Sequence, residues 1–155
     1  FERIVNVCAA CDSDYFLYRD FQARNIMIVD EKPFFIDYQS GRAGPPHYDL
    51  ASLLFQAQAA LPPPLRESLL TRYLGALSAR RPIDESAFRR EFILFALLRT
   101  IQTLGAYGKL GLGDGKEYFR RAIPFAKANV AYILDNFPET GGGAVRRLMQ
   151  EIVAR

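Results

Sequence analysis

The chain has 155 residues, 50% hydrophobic and 24% charged, the balance of a soluble globular protein with enough length for one sizeable core. Its 20 basic and 17 acidic residues leave a net charge of +3; this mild excess suits an anionic ligand such as a nucleotide, but its arginine pairs are scattered and exclude a nucleic-acid footprint. No apolar run reaches membrane-spanning length, and 2 cysteines are too few for a disulfide framework, so no membrane partner is expected and a reducing cytoplasm is the expected setting.

Residues 1–11 read as an amphipathic helix with no capping signal ahead of it, which predicts that the native protein extends further towards its N-terminus. Cys8 and Cys11 form a Cys-x-x-Cys pair at the end of this helix. A zinc site would need two further ligands, and His47 is the sole histidine, so the pair is expected to be two small buried side chains. Three apolar runs of strand length follow: Tyr15–Tyr18, Ile26–Val29 and Phe34–Asp37. The last two are separated by Asp30-Glu31-Lys32-Pro33, a turn cluster, and predict a β-hairpin. A polar loop runs from Gln39 to His47.

The remainder reads as helical. A helix is expected over Asp49–Ala59, stopped by Pro62-Pro63-Pro64, and another over Leu65–Ala79. Asp84 is a good N-cap for Asp84–Tyr107, which carries Phe88, Phe92, Phe95, Leu98 and Leu104 near helical spacing. Gly108–Gly115 lacks the Gly-Lys-Ser/Thr ending of a phosphate loop and reads as a flexible connection. Tyr118–Phe137 contains Pro124, which predicts either a kink or a later start. Ala144–Ala154 follows Gly141-Gly142-Gly143. The expected class is α+β, mainly helical, with residues 1–155 forming a single domain.

The chemistry concentrates in Tyr18-Arg19-Asp20-Phe21-Gln22-Ala23-Arg24-Asn25 and in Phe35-Ile36-Asp37-Tyr38-Gln39. Phosphoryl transfer from a nucleotide requires a carboxylate to orient and deprotonate the attacking hydroxyl, and hard oxygen ligands for magnesium. A short loop between strands points Asp20 at an acceptor while Asn25 turns towards a metal. The hairpin brings Asp37 back beside Asn25. Strand alternation leaves Met27 and Ile36 as apolar walls for a nucleotide base. Gln22 and Arg24 either reach a phosphate or the acceptor, or brace the loop. The plainer alternative makes Asp20, Asn25 and Asp37 ordinary turn and cap residues of a hairpin.

At these residues the sequence resembles the aminoglycoside phosphotransferase and choline kinase-like family, relatives of the protein kinases. That family has a His-x-Asp-x-x-x-x-Asn loop and a later metal-binding aspartate; Asp20, Asn25 and Asp37 match the acidic and amide positions. The resemblance implies the C-terminal lobe of a protein kinase-like fold, with a small β-hairpin carrying the catalytic and metal loops. It implies Asp20 as catalytic base, Asn25 and Asp37 as magnesium ligands, and ATP as phosphoryl donor. It continues into Tyr48-Asp49-Leu50-Ala51, where Asp49 would brace the catalytic loop.

Arg19-Asp20-Phe21-Gln22-Ala23-Arg24-Asn25 with Ile36-Asp37-Tyr38-Gln39 is similar to bacterial kinases that phosphorylate cell-wall amino sugars, as is Leu98–Gly108. An amino-sugar hydroxyl is therefore the expected acceptor. Tyr18 departs from the family's histidine. The family's nucleotide-binding N-terminal lobe has no counterpart in the chain, so that lobe of the same protein is an expected partner. These residues alone are expected to bind ATP poorly or not at all and to be inactive. A catalytically inactive kinase-like binding or regulatory module is the alternative function.

Overall fold

The computed structural model describes residues 2–140 and 142–154, the Glu139 side chain excepted. Phe1, the expected start of the first helix, and Gly141, in the expected glycine break, lie outside those residues. In chain order the elements are α1 (Glu2–Ala10), β1 (Phe16–Leu17), β2 (Ile26–Val29), β3 (Lys32–Phe35), β4 (Arg42–Ala43), α2 (Pro46–Leu54), α3 (Pro63–Ser78), α4 (Glu85–Tyr107), α5 (Glu117–Asn136) and α6 (Gly143–Ala154). The chain is mainly helical, with two small antiparallel sheets, β1–β4 and β2–β3.

Local chemistry explains where these elements differ from expectation. The hairpin turn is tighter than the four-residue cluster suggested. Val29 pairs with Lys32, and Asp30 and Glu31 alone make the turn, at φ 48° and 61°. Two left-handed residues give the twist that a two-residue hairpin needs. Lys32 and Pro33 therefore belong to β3, which ends at Phe35; Asp37 lies two residues past the strand rather than in it. Pro33 is tolerated because a two-stranded sheet leaves every strand an edge. The Tyr15–Tyr18 run forms only the two-residue β1.

The prolines open helices rather than close them. Pro46 and Pro63 occupy first-turn positions behind Pro45 and Pro62, where a missing N–H costs nothing. Helix α2 thus starts three residues before Asp49 and ends at Leu54, and Ala57–Ala59 forms a separate 3₁₀ turn. Asp84 caps α4 as its position suggested, accepting the Ala87 N–H at 2.9 Å. The glycine-rich stretch 108–113 is a π-helical turn that prolongs α4, not a free loop. A Cβ on Gly111 would lie 2.6 Å from the Arg120 backbone nitrogen, so this close approach to α5 requires glycine. Helix α5 starts at Glu117 and continues through Pro124.

Helix α4 is the centre of the packing and meets α1, α2 and α5. The expected stripe is buried at Phe88, Phe92 and Phe95, while Leu98 packs at its margin. These side chains join Ile4, Leu50, Leu54, Leu74, Leu97 and Ile133 in one core. A smaller cluster of Val130, Leu134 and Met149 fastens α6 to α5. Cys8 and Cys11 are buried free thiols, as expected, and burial pushes them up to about 11 and about 12. His47 stacks on Phe88 at 3.8 Å, and burial pushes its pKa down to about 4. Leu97 is fully buried; Leu97→Ala should destabilise the fold by about 2–5 kcal/mol, read as a lowered urea midpoint.

Candidate active site

Two loops meet between the two small sheets. The first, residues 18–25, leaves β1 and ends in a 3₁₀ turn at Ala23–Asn25. The second leaves β3 and reaches β4, with the Gly41 N–H donating to the Tyr38 carbonyl at 2.9 Å. The Ile36 N–H donates to the Asn25 carbonyl at 3.1 Å, which extends the hairpin ladder by one rung. The Tyr18 hydroxyl donates to the Ile36 carbonyl. The residue before Asp37 is thus tied both to Asn25 and to the start of the first loop. Burial, with the negative charges of Asp37, Asp20 and Asp49 nearby, raises the Tyr18 pKa and keeps that donor protonated.

Asp49 holds the first loop from α2. Its carboxylate accepts the backbone N–H of Tyr18 through one oxygen and that of Arg19, at 2.9 Å, through the other. Burial raises the Asp49 pKa, opposed by these two N–H groups and by the Arg99 charge. Arg19 sits at φ 76° and Asp37 at φ 68°, a left-handed conformation that non-glycine residues adopt at a cost of about 1–3 kcal/mol. One of these residues precedes Asp20 and the other is Asp37 itself, so strain falls at the candidate carboxylate of each loop.

Asp20 gathers three neighbours. Gln22 Nε2 donates to Oδ1, Arg24 donates to Oδ2 at 2.9 Å, and Asn25 Nδ2 reaches the same Oδ2 at 3.4 Å. Asn25 also donates to the Asp20 carbonyl at 2.8 Å. Asn25 is only 5% exposed, and its amide nitrogen is occupied by Asp20, so its oxygen is the group left for another ligand. The Asp20 and Arg24 side chains are 34% and 56% exposed, and an exposed pair of this kind is weak enough to open. Asp37 accepts from Gln39 Nε2 at 2.7 Å through one oxygen. An amide oxygen and a carboxylate form a hard donor set suited to magnesium.

Gln22 and Arg24 also line a cavity of about 270 Å³, with Ser52 and Gln56 from the α2 side, Arg99 and Gln102 from α4, and Tyr118 from α5. Gln56 fixes the loop at this wall by accepting the Ala23 N–H at 2.8 Å. Arg99 donates to Ser52 Oγ, Tyr48 Oη and Gln102 Oε1 at 2.8, 2.7 and 2.6 Å. Sequence reasoning gave Arg99 no role. Its signal was a single arginine interrupting the apolar face of α4. Met27 and Ile36 are 48% and 46% exposed, on a hairpin that stands out from the helical body. The structure therefore brings Asp20, Asn25 and the backbone before Asp37 together, and leaves Met27 and Ile36 on an open apolar surface.

Comparison with known proteins points the same way. The model of the phosphotransferase enzyme family matches residues 3–85. An N-acetylmuramate/N-acetylglucosamine kinase of Neisseria meningitidis is 33% identical over 112 residues, covering 70% of this chain and 34% of that protein. Its namesake from Caulobacter vibrioides is 30% identical over 118 residues, covering 73% and 32%. That of Pseudomonas aeruginosa is 30% identical over 112 residues, covering 70% and 33%. The matches thus span about a third of each curated relative. The loop, its brace and the aspartate after the hairpin all fall inside the matched region, and the chain belongs to the phosphotransferase enzyme family.

Proposed function

We propose that the complete protein transfers the γ-phosphoryl group of ATP to a hydroxyl of an amino sugar, and that these residues form the C-terminal lobe of a protein kinase-like fold. The observation that carries this is the hydrogen-bonded Asp20–Asn25 unit, with the Ile36 N–H, one residue before Asp37, bonded to Asn25 and a cavity lined by Gln22 and Arg24 at its edge. Asp20 accepts the proton of the sugar hydroxyl as the new O–P bond forms and the bond to ADP breaks. The Asn25 oxygen and the Asp37 carboxylate hold magnesium, which neutralises phosphate charge. Arg24, Gln22, Arg99 and Gln102 orient the sugar through its polar groups.

The exposed apolar hairpin fits the same reading. Met27, Ile28, Phe34, Phe35 and Ile36 are each about half exposed or more, a patch larger than isolated surface residues explain. Met27 and Ile36 form one wall for the adenine, and an N-terminal lobe of the same protein covers the rest. The free thiols suit a cytoplasmic setting. No described helix is long and apolar enough to cross a membrane.

The test is phosphoryl transfer by the full-length protein, with ATP, magnesium and a panel of hexoses, hexosamines and N-acetylated hexosamines. N-acetylated hexosamines should give sugar phosphate and ADP in equal amounts. ATP binding without transfer to any sugar would instead support an inactive binding module.

A further inference from the structure

Three side chains outside the loop cluster converge from separate elements: Cys11 just after α1, His47 in the first turn of α2, and Glu91 in α4. Their Sγ, imidazole nitrogen and carboxylate oxygen lie within 4.8 Å of one another. His47 is 4% exposed, and neither ring nitrogen has a hydrogen-bond partner among the described residues. Glu91 Oε2 comes within 3.3 Å of Nε2, but out of hydrogen-bonding alignment. Buried polar side chains are nearly always satisfied, so a neutral imidazole left this way implies a missing partner.

The surroundings define that partner. A cavity of about 230 Å³ reaches His47 and Glu91 and is also lined by Asp12, Tyr15, Asp84 and Phe88. Arg81 also lines it and pairs with Asp12 at 3.1 Å, so Asp84 and Glu91 are the acidic groups left along this route for a small cation. A thiolate, an imidazole and a carboxylate form a donor set for zinc rather than for magnesium, which takes oxygen alone. We propose that Cys11, His47 and Glu91 form a binding site for a zinc-type divalent cation, with the fourth position facing the cavity.

On binding, a bond forms between Sγ and the metal and the thiol proton leaves to solvent, with no change of oxidation state. Cys8 lies one helical turn before Cys11 and is not a ligand. The site fastens α1 and α4 to the start of α2, two residues before Asp49. It stands independently of the phosphotransferase reading.

Cobalt titration of the metal-free full-length protein tests this, because thiolate-to-cobalt charge transfer reports cysteine ligation alone. One equivalent should give the band, zinc should displace it, and excess magnesium should not. Cys11→Ser should abolish the band, and Cys8→Ser should retain it. Glu91→Gln and His47→Asn should each weaken zinc binding by at least about tenfold, the loss expected even for residues behind the ligands. Circular dichroism checks each fold; should the buried variants fail to fold, the one-third-exposed Glu91 still carries the test. Absence of the band in the wild type, or zinc affinity unchanged in Glu91→Gln, would overturn the site.

Discussion

Asp20→Ala in the full-length protein should lower kcat for sugar phosphorylation by about 10²–10⁴-fold, the usual contribution of a positioned general base. The KM for ATP should change little, because the proposed role touches the acceptor rather than the donor. The substitution leaves the loop in place. Asn25 keeps its 2.8 Å bond to the residue-20 carbonyl, and Asp49 still holds the backbone of residues 18 and 19. The melting temperature should therefore stay close to that of the wild type. Steady-state kinetics alongside thermal unfolding checks both halves of the expectation. A wild-type kcat in Asp20→Ala would remove this carboxylate from the chemistry.

Asp49→Asn should damage both stability and turnover. Both carboxylate oxygens are used, one on the Tyr18 N–H and one on the Arg19 N–H. An amide offers one acceptor and one donor, so one backbone N–H would face another N–H. The Tyr18 bond is part-buried and the Arg19 bond exposed, so leaving one donor unsatisfied costs about 1 kcal/mol, the low end for such a loss, and Arg19 already sits in a left-handed conformation. The loop would relax, and Asp20 is the next residue. A loss of kcat of about tenfold or more is expected, since each 1.36 kcal/mol of misplacement at the transition state is a factor of ten. A lowered melting temperature should accompany it. Asp49→Asn with normal kcat and normal stability would show that the brace is dispensable.

The parts of this site legible in the sequence were those with short-range causes. Asp20 and Asn25 stand on one loop, and a hairpin between Ile26 and Phe35 necessarily returns the following residues to its start. The helix cap at Asp84 is equally local. The hairpin turn was misjudged because Asp30 and Glu31 adopt left-handed angles that glycine or asparagine would have advertised. Pro62-Pro63-Pro64 was taken as a stop and Pro46 as part of a loop, because composition does not tell which side of a proline the helix lies on.

The wall of the cavity was not legible. Arg99 reaches Ser52 and Tyr48 across more than forty residues, and only packing of α4 on α2 brings them together. The same holds for Glu91 beside Cys11 and His47. Spacing along the chain found the cysteines but had no means of finding a carboxylate from a helix that starts at Glu85.

The fastenings of the loop at residues 18–25 share a property with an evolutionary consequence. Asp49 grips the N–H groups of residues 18 and 19, Gln56 grips the N–H of residue 23, and Tyr18 grips the carbonyl of residue 36. Each of these anchors takes hold of main-chain atoms, which every amino acid except proline supplies alike. Exchanging the side chains of residues 22 and 24 therefore leaves the backbone of the loop held and removes only their bonds to the Asp20 carboxylate. Descendants of this chain can vary those two positions while the backbone that carries Asp20 stays anchored.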